Sequence, residues 1–220
     1  MHYKLTEEII NLSVSDYWES AKFEWNFEYA YQSEKPQTCL CGHFPIINIC
    51  IIKNTKNQND AEVGNCCVNK FLGIDDGNKI FLSINKIKND FSKSISEEVV
   101  EYLKKKRIIN ETEYKFYLDI FRKRNLSYKQ LEFKKKINQK FIDFTSSETN
   151  SHLKRINMVL KWAEENTWFD VSFVNSLKEN CSKKGKLSEK QSEALESIIS
   201  KNKVKNTSAN TRYNGFGQLA

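Results

Sequence analysis

The chain has 220 residues, 39% of them hydrophobic and 29% charged, with a formal net charge of +7. That supplies enough apolar material for one or two packed cores, and only seven Gly and two Pro exclude a collagen-like or low-complexity chain and favour helices over a sandwich or barrel. No apolar run approaches a membrane span and the first residues lack a signal-peptide core, so no membrane partner is expected and the expected location is cytoplasmic, where thiols stay reduced.

Charge is unevenly spread. Residues 1–75 hold six Lys or Arg against ten Asp or Glu, residues 76–149 hold 17 against 11, and residues 150–220 hold 12 against seven. An acidic head on a basic body suits a nucleic-acid or acidic-protein partner, although lysine-rich solvated helix faces give the same count.

In chain order, Ser13 and Ser15 offer N-caps for a short helix over 16–23. Trp25, Phe27, Tyr29 and Tyr31 then alternate with polar or small residues, the period of a strand with one aromatic face. Such a face can stack bases, but packing on a core is the expectation. Pro36 ends that strand. Residues 46–52 form a second strand, 57–60 its turn, 61–63 a third short strand, and 66–73 one or two helical turns closed by Gly73.

Five of the six cysteines lie between positions 39 and 67. Cys39-Leu40-Cys41-Gly42-His43 makes a tight knuckle with only one residue between its thiols, and Cys67 or its neighbour Cys66 opens the helix after the hairpin. Knuckle, hairpin and helix follow the order of a treble-clef zinc finger. Structural zinc takes four soft or borderline ligands in a tetrahedron, and the predicted set is Cys39, Cys41, His43 and Cys67, with Cys50 in reserve for His43. The competing reading is a set of reduced core thiols.

Asp75-Asp76-Gly77-Asn78 reads as a turn and a domain boundary; it lacks the remaining ligands of a calcium loop. Beyond it the pattern is helical. Ser94-Ile95-Ser96-Glu97, Asn110-Glu111-Thr112-Glu113 and Ser127-Tyr128-Lys129-Gln130 are start signals. A longer helix is expected over 151–165, another after a cap at Asp170, and a last one after Ser188. Asn125-Leu126-Ser127-Tyr128-Lys129-Gln130 repeats as Lys186-Leu187-Ser188-Glu189-Lys190-Gln191 at an offset of 61, placing Phe116 on Leu177, Ile120 on Cys181 and Ile137 on Ile198. Each copy reads as helix, short turn, Ser cap, helix, hence two antiparallel hairpins. The expected plan is α+β: a zinc-stapled β-rich module over 1–75, a basic hairpin region over 76–149, a second hairpin region over 150–202 and a tail over 203–220.

The residues at 39–46, Asn54 and Val63-Gly64-Asn65-Cys66-Cys67-Val68-Asn69-Lys70-Phe71 resemble the N-terminal segment of small, mostly uncharacterised phage and bacterial proteins with Cys-x-Cys-Gly, a hairpin Asn and Val-Gly-x-x-Cys. The Leu-Ser-x-Lys-Gln hairpin is similar to a module in such phage-type proteins. The resemblance covers about half of the chain and implies a zinc-binding module and a mobile-element context, with no reaction attached.

Catalytic zinc needs an open position and a nearby base, and neither His-Glu-x-x-His nor the deaminase pair is present. No Walker A or Rossmann fingerprint occurs, and nothing in the pattern ties His2 or His152 to a cysteine. A non-enzymatic protein without a small-molecule substrate is expected. Three basic clusters, Lys104-Lys105-Lys106-Arg107, Arg122-Lys123-Arg124 and Lys134-Lys135-Lys136, interleave with Tyr114, Tyr117, Tyr128 and Phe133. Together they predict a phosphate-binding face for DNA or RNA. The alternative is a subunit, adaptor or inhibitor that docks on a larger phage, defence or nucleic-acid-processing complex.

Overall fold

Leu5 and Ile9 stand about one helical turn apart, and both are buried on α1 (Tyr3–Asn11). The structure is a computed structural model and describes residues 3–72 and 76–204. They fall into two compact units that divide after Asn78. α1 has no counterpart among the helices the sequence predicts, because two inward residues give a weak periodic signal.

The helix expected over 16–23 is shorter. It forms one turn, α2 (Trp18–Ala21), and a 3₁₀ turn at Lys22–Glu24. Ser13 and Ser15 do not cap it as predicted; the cap position is Tyr17, with no side-chain bond. The Ser13 hydroxyl donates to Ile9 O and accepts from Trp25 Nε1, and the Ser15 N–H donates to Glu24. The Glu24 carboxylate is fully enclosed. It accepts from Val14 N at 2.8 Å, Ser15 N at 3.0 Å and Asn54 Nδ2 at 2.8 Å, and pairs with Lys56 Nζ at 3.3 Å. Burial alone would raise its pKa, but these four donors hold it down at about 2. Glu24 thereby ties the loop after α1 to the tip of the β-hairpin.

β1 (Trp25–Gln37), β2 (Ile46–Asn54) and β3 (Asp60–Gly64) form an antiparallel sheet in that order. Ala30 stands opposite Cys50, and Cys50 opposite Val63. The single aromatic face is corrected: a register shift between Phe27 and Tyr29 leaves Trp25 and Phe27 on the Ile52 face of the sheet and moves Tyr29 and Tyr31 to the Ile49 and Ile51 face. Trp25, Tyr29 and Tyr31 are buried and Phe27 is half-buried, so both faces pack. Pro36 does not end the strand as predicted. β1 continues to Gln37, and an irregularity between Gln32 and Gln37 takes the exposed proline out of the ladder. α3 (Asn65–Leu72) follows β3 directly. The turn expected at 75–78 is also corrected: α4 (Asp76–Asn89) begins there, and a Cβ on Gly77 would lie 3.1 Å from Cys50 Sγ. Asp75 lies outside the described residues.

The second unit is helical. Ile80, Ile84 and Ile87 line one face of α4. α5 (Glu97–Lys105) is capped by Ser96 rather than Ser94, and α6 (Glu111–Ile120) and α7 (Tyr128–Phe144) carry the capping boxes predicted at Asn110 and Ser127. α6 and α7 run antiparallel: Phe116 meets Phe133, Tyr117 Oη donates to Asn138 Oδ1 at 2.6 Å, and Glu113 pairs with Lys140 at 2.5 Å. The connection between α4 and α5 is latched to this hairpin. Asn138 Nδ2 donates to the carbonyls of Phe91 and Lys93, Ile95 N donates to Tyr117 Oη, and Lys134 Nζ donates to Ser92 O at 2.8 Å.

α8 (Ser147–Glu165) starts four residues before the expected position, on the cap Ser146. α9 (Ser172–Lys184) has Val171 as its cap residue, and Asp170 accepts from Ser172 N at 2.9 Å. Gly185 ends α9 at φ +71°, where a Cβ would lie 2.3 Å from Asp143 Cβ. That close approach brings the Gly185 carbonyl to the buried Thr149 hydroxyl, whose single proton it shares with the Asp143 carbonyl. α10 (Glu189–Lys201) carries the predicted capping box at Ser188 and pairs with α8 through Arg155 and Glu196. Both hairpin regions thus fall in one compact unit. Of the tail expected over 203–220, only Lys203 and Val204 lie among the described residues. No helix among the described residues is long and apolar enough to cross a membrane.

Candidate functional site: a three-cysteine centre and a basic cleft

The loop between β1 and β2 closes on itself at the knuckle. Cys39 N donates to His43 O at 2.9 Å, and Gly42 N donates to Cys39 O at 2.7 Å. Gly42 sits at φ +87°, which a residue with a Cβ rarely adopts, and the Lys4 side chain lies against it. This turn points Cys39 and Cys41 inward; both are buried. Cys67 joins them from the first turn of α3. Cys66, one position earlier, is exposed, since neighbouring positions on a helix diverge by about 100°.

The three sulfurs lie within 4.8 Å of one another, and Cys41 and Cys67 are 3.5 Å apart. A tetrahedral metal with sulfur bonds of about 2.3 Å has edges of roughly 3.8 Å, so three corners fit. Cys39, Cys41 and Cys67 could therefore hold a metal ion. The Cys67 thiol beside Cys39 pulls its pKa well below the usual thiol range against the effect of burial, with further help from Gly64 N at 3.2 Å. Cys67, as the donor of that pair, is pushed up.

His43 is not part of this set. Its ring is on the exposed side of the knuckle, and its carbonyl does the structural work. Cys50 lies buried in β2 near Cys39, pushed up to about 12 by burial and then by the Cys39 charge, and it too is outside the set. Of the other candidates for nucleophilic chemistry, Cys181 is buried and also pushed up to about 12. His152 faces Glu148 on its own helix at 3.9 Å, and His2 lies outside the described residues.

The basic residues separate into three groups with different surroundings. Lys104 pairs with Glu111 at 2.5 Å and lies over the Tyr114 ring, while Lys105 and Arg107 are exposed. Arg122, Lys123 and Arg124 sit exposed at the other end of α6, about 15 Å away by helix length, with Lys123 paired to Asp119. In the third group Lys135 pairs with Glu132 and Lys136 is exposed, but Lys134 is only 5% exposed and serves the Ser92 carbonyl. Lys134 is thus a structural residue rather than part of a phosphate-facing surface. The signal was present: Lys134, Ile137, Phe141 and Phe144 follow the three–four spacing of one inward face.

Lys104, Lys105 and Arg107 line a cleft of about 570 Å³ together with Lys140 of α7 and Lys183 of α9. Glu111 and Glu113 line it as well, paired with Lys104 and Lys140, and Ile108 and Ile109 form its apolar wall. Lys140 and Lys183 do not belong to the predicted basic face. No sequence run marks Lys140, because helix packing rather than adjacency brings it to the cleft. Comparison with protein families, with curated proteins and with solved structures yields no match to this chain.

Proposed function

We propose that this is a non-enzymatic, zinc-stapled protein that binds nucleic acid through the basic surface of its helical unit, in a phage or mobile-element setting. The observation that carries the binding reading is the set of exposed cations with no acidic partner among the described residues: Lys105 and Arg107 at one end of α6, Arg122 and Arg124 at the other, and Lys136 on α7. Lys123 and Lys135, by contrast, are neutralised by Asp119 and Glu132. Two clusters about 15 Å apart match roughly four base-pair steps of a phosphate backbone.

Zinc is the metal best suited to buried thiolates in an intracellular chain, and it would staple the β1–β2 loop to α3. With three thiolates in place, a fourth ligand completes the tetrahedron, and His43 reaches it only by turning its exposed ring inward.

The test is binding of short DNA and RNA duplexes and single strands across a salt series. Affinity should fall steeply with salt. The triple variant Arg122→Glu/Arg124→Glu/Lys136→Glu should lose it. Affinity that stays intact in that variant removes the proposed surface.

One observation favours the second reading, docking on a larger protein assembly. Trp162, Trp168 and Phe169 stack edge to face at ring distances of 5.3–6.1 Å, with Trp168 71% exposed. Exposed aromatics of this kind anchor protein interfaces. Binding through them would be insensitive to salt.

A further inference from the structure

Arg107 occupies a backbone position that ordinarily calls for glycine. It follows the last turn of α5 at φ +59°; its N–H donates to Lys104 O at 3.0 Å, and the next N–H, of Ile108, donates to Leu103 O at 2.9 Å. This is a Schellman ending, with Arg107 in the left-handed residue and buried Leu103 and Ile108 as the accompanying apolar pair. Gly185 ends α9 in the same left-handed conformation at no steric cost. A non-glycine there is strained, and observed strain is grounds for a functional hypothesis when the side chain sits at a site. The Arg107 side chain lines the cleft described above. Lys203 holds a left-handed position too, so the backbone alone does not make the case; the cleft does.

Five cations and two carboxylates line that cleft, a net charge of +3, and they come from α5, the turn after it, α6, α7 and α9. The two carboxylates are already paired, which leaves Lys105 and Arg107 with no partner among the described residues. The volume falls within the range of small-molecule sites. Carboxylates beside the cations disfavour the weakly charged internal phosphodiester. A terminal phosphate carries about −1.5 to −2 at pH 7 and offers three acceptor oxygens, enough for Arg107 and two lysines at once.

We propose that this cleft seats a terminal phosphate, from a free nucleotide or polyphosphate or from the phosphorylated end of a strand, with Arg107 as its fork-shaped anchor, Lys105 as an unpaired supporting charge and Lys183, which also pairs with Glu179 at 3.2 Å, as a second. The inference deepens the nucleic-acid reading for strand ends, and it is tested separately from that reading through inorganic triphosphate.

The experiment is titration calorimetry of the full chain with inorganic triphosphate at low salt, on the wild type, Arg107→Gly and Lys183→Gln, with thermal melts of all three. Triphosphate should bind the wild type. Arg107→Gly should melt at the same temperature or higher, because glycine relieves the backbone, yet bind about tenfold more weakly, as loss of one charge-assisted pair predicts. Lys183→Gln should weaken binding several-fold without moving the melt. No binding by the wild type, or equal binding by both variants, overturns the proposal; if Arg107→Gly fails to fold, Lys183→Gln decides alone. A second titration compares 5′-phosphorylated with 5′-hydroxyl oligonucleotides. A preference for the phosphorylated end that vanishes in Arg107→Gly identifies strand ends as the source, whereas equal binding beside tight triphosphate binding identifies a free nucleotide. If hydroxyl-ended strands bind while triphosphate does not, the cleft proposal fails and the nucleic-acid reading stands.

Discussion

The two units are held together by different means. Up to Asn78, a three-stranded sheet and short helices depend on a few polar nodes: Glu24 gathers four donors, and three cysteines meet from a loop and a helix 26 positions apart. From Lys79 onward, capped helices share a distributed apolar core, with polar groups used mainly to latch loops. The first unit has an apolar core of its own, with Trp25, Tyr31, Ile49 and Ile52 buried, so its polar nodes act at defined places on top of that core. Changes at those nodes should therefore be felt locally, within the first unit.

The largest break should come from the three-cysteine cluster. On the proposed zinc reading, removing the metal with a chelator, or Cys39→Ser, should cost the first unit several kcal/mol, since metal binding and folding are coupled. Hydrogen exchange read by mass spectrometry should show protection lost in β1, β2 and α3 with the helices beyond Asn78 unchanged. Uniform loss of protection would mean that the two units do not unfold separately.

Next in size is a break in the helical unit, at its tightest approach. Gly185→Ala puts a methyl group 2.3 Å from Asp143 Cβ in a left-handed residue. A loss of about 3 kcal/mol is expected, visible as a lower urea midpoint.

Glu24→Gln returns to the first unit. It keeps the shape but removes the charge that four donors share, and about 2 kcal/mol should be lost. The sign of the pH effect follows from the folded pKa lying below the ordinary value of 4.5, at about 2. The stabilisation is present above about pH 4.5 and fades as pH falls toward 2. Melting of the wild type should drop across that window, and the drop should shrink in Glu24→Gln.

The smallest effect belongs to Lys134→Met. It keeps the aliphatic stem and gives up the bond to Ser92 O, so about 1 kcal/mol is expected. Faster hydrogen exchange over residues 90–95, with nucleic-acid affinity unchanged, would mark Lys134 as a latch. A large fall in affinity would return it to the binding surface.

The helix starts at Asn110, Ser127 and Ser188 were legible because a capping box is a local device: side chain and backbone satisfy each other within four residues. Gly185 as a stop was legible for the same reason. The misreadings lie where a distant partner competes. Ser13 and Ser15 serve Ile9, Trp25 and Glu24 instead of capping a helix, Pro36 is tolerated inside β1 because a register irregularity frees it, and Asp76 opens a helix whose Gly77 is needed beside Cys50.

By itself, the sequence determined the order of knuckle, hairpin and helix, and the capped starts of α6, α7 and α10, because spacing and caps act over a few residues. Only the tertiary structure decided that Cys67 and not Cys66 faces Cys39 and Cys41, that the His43 ring stays outside that set, that Lys134 is buried, and that Lys140 and Lys183 join Lys105 and Arg107 around one cleft. Those outcomes depend on which helix faces meet, and residues far apart in the chain reach one another only once the cores have packed.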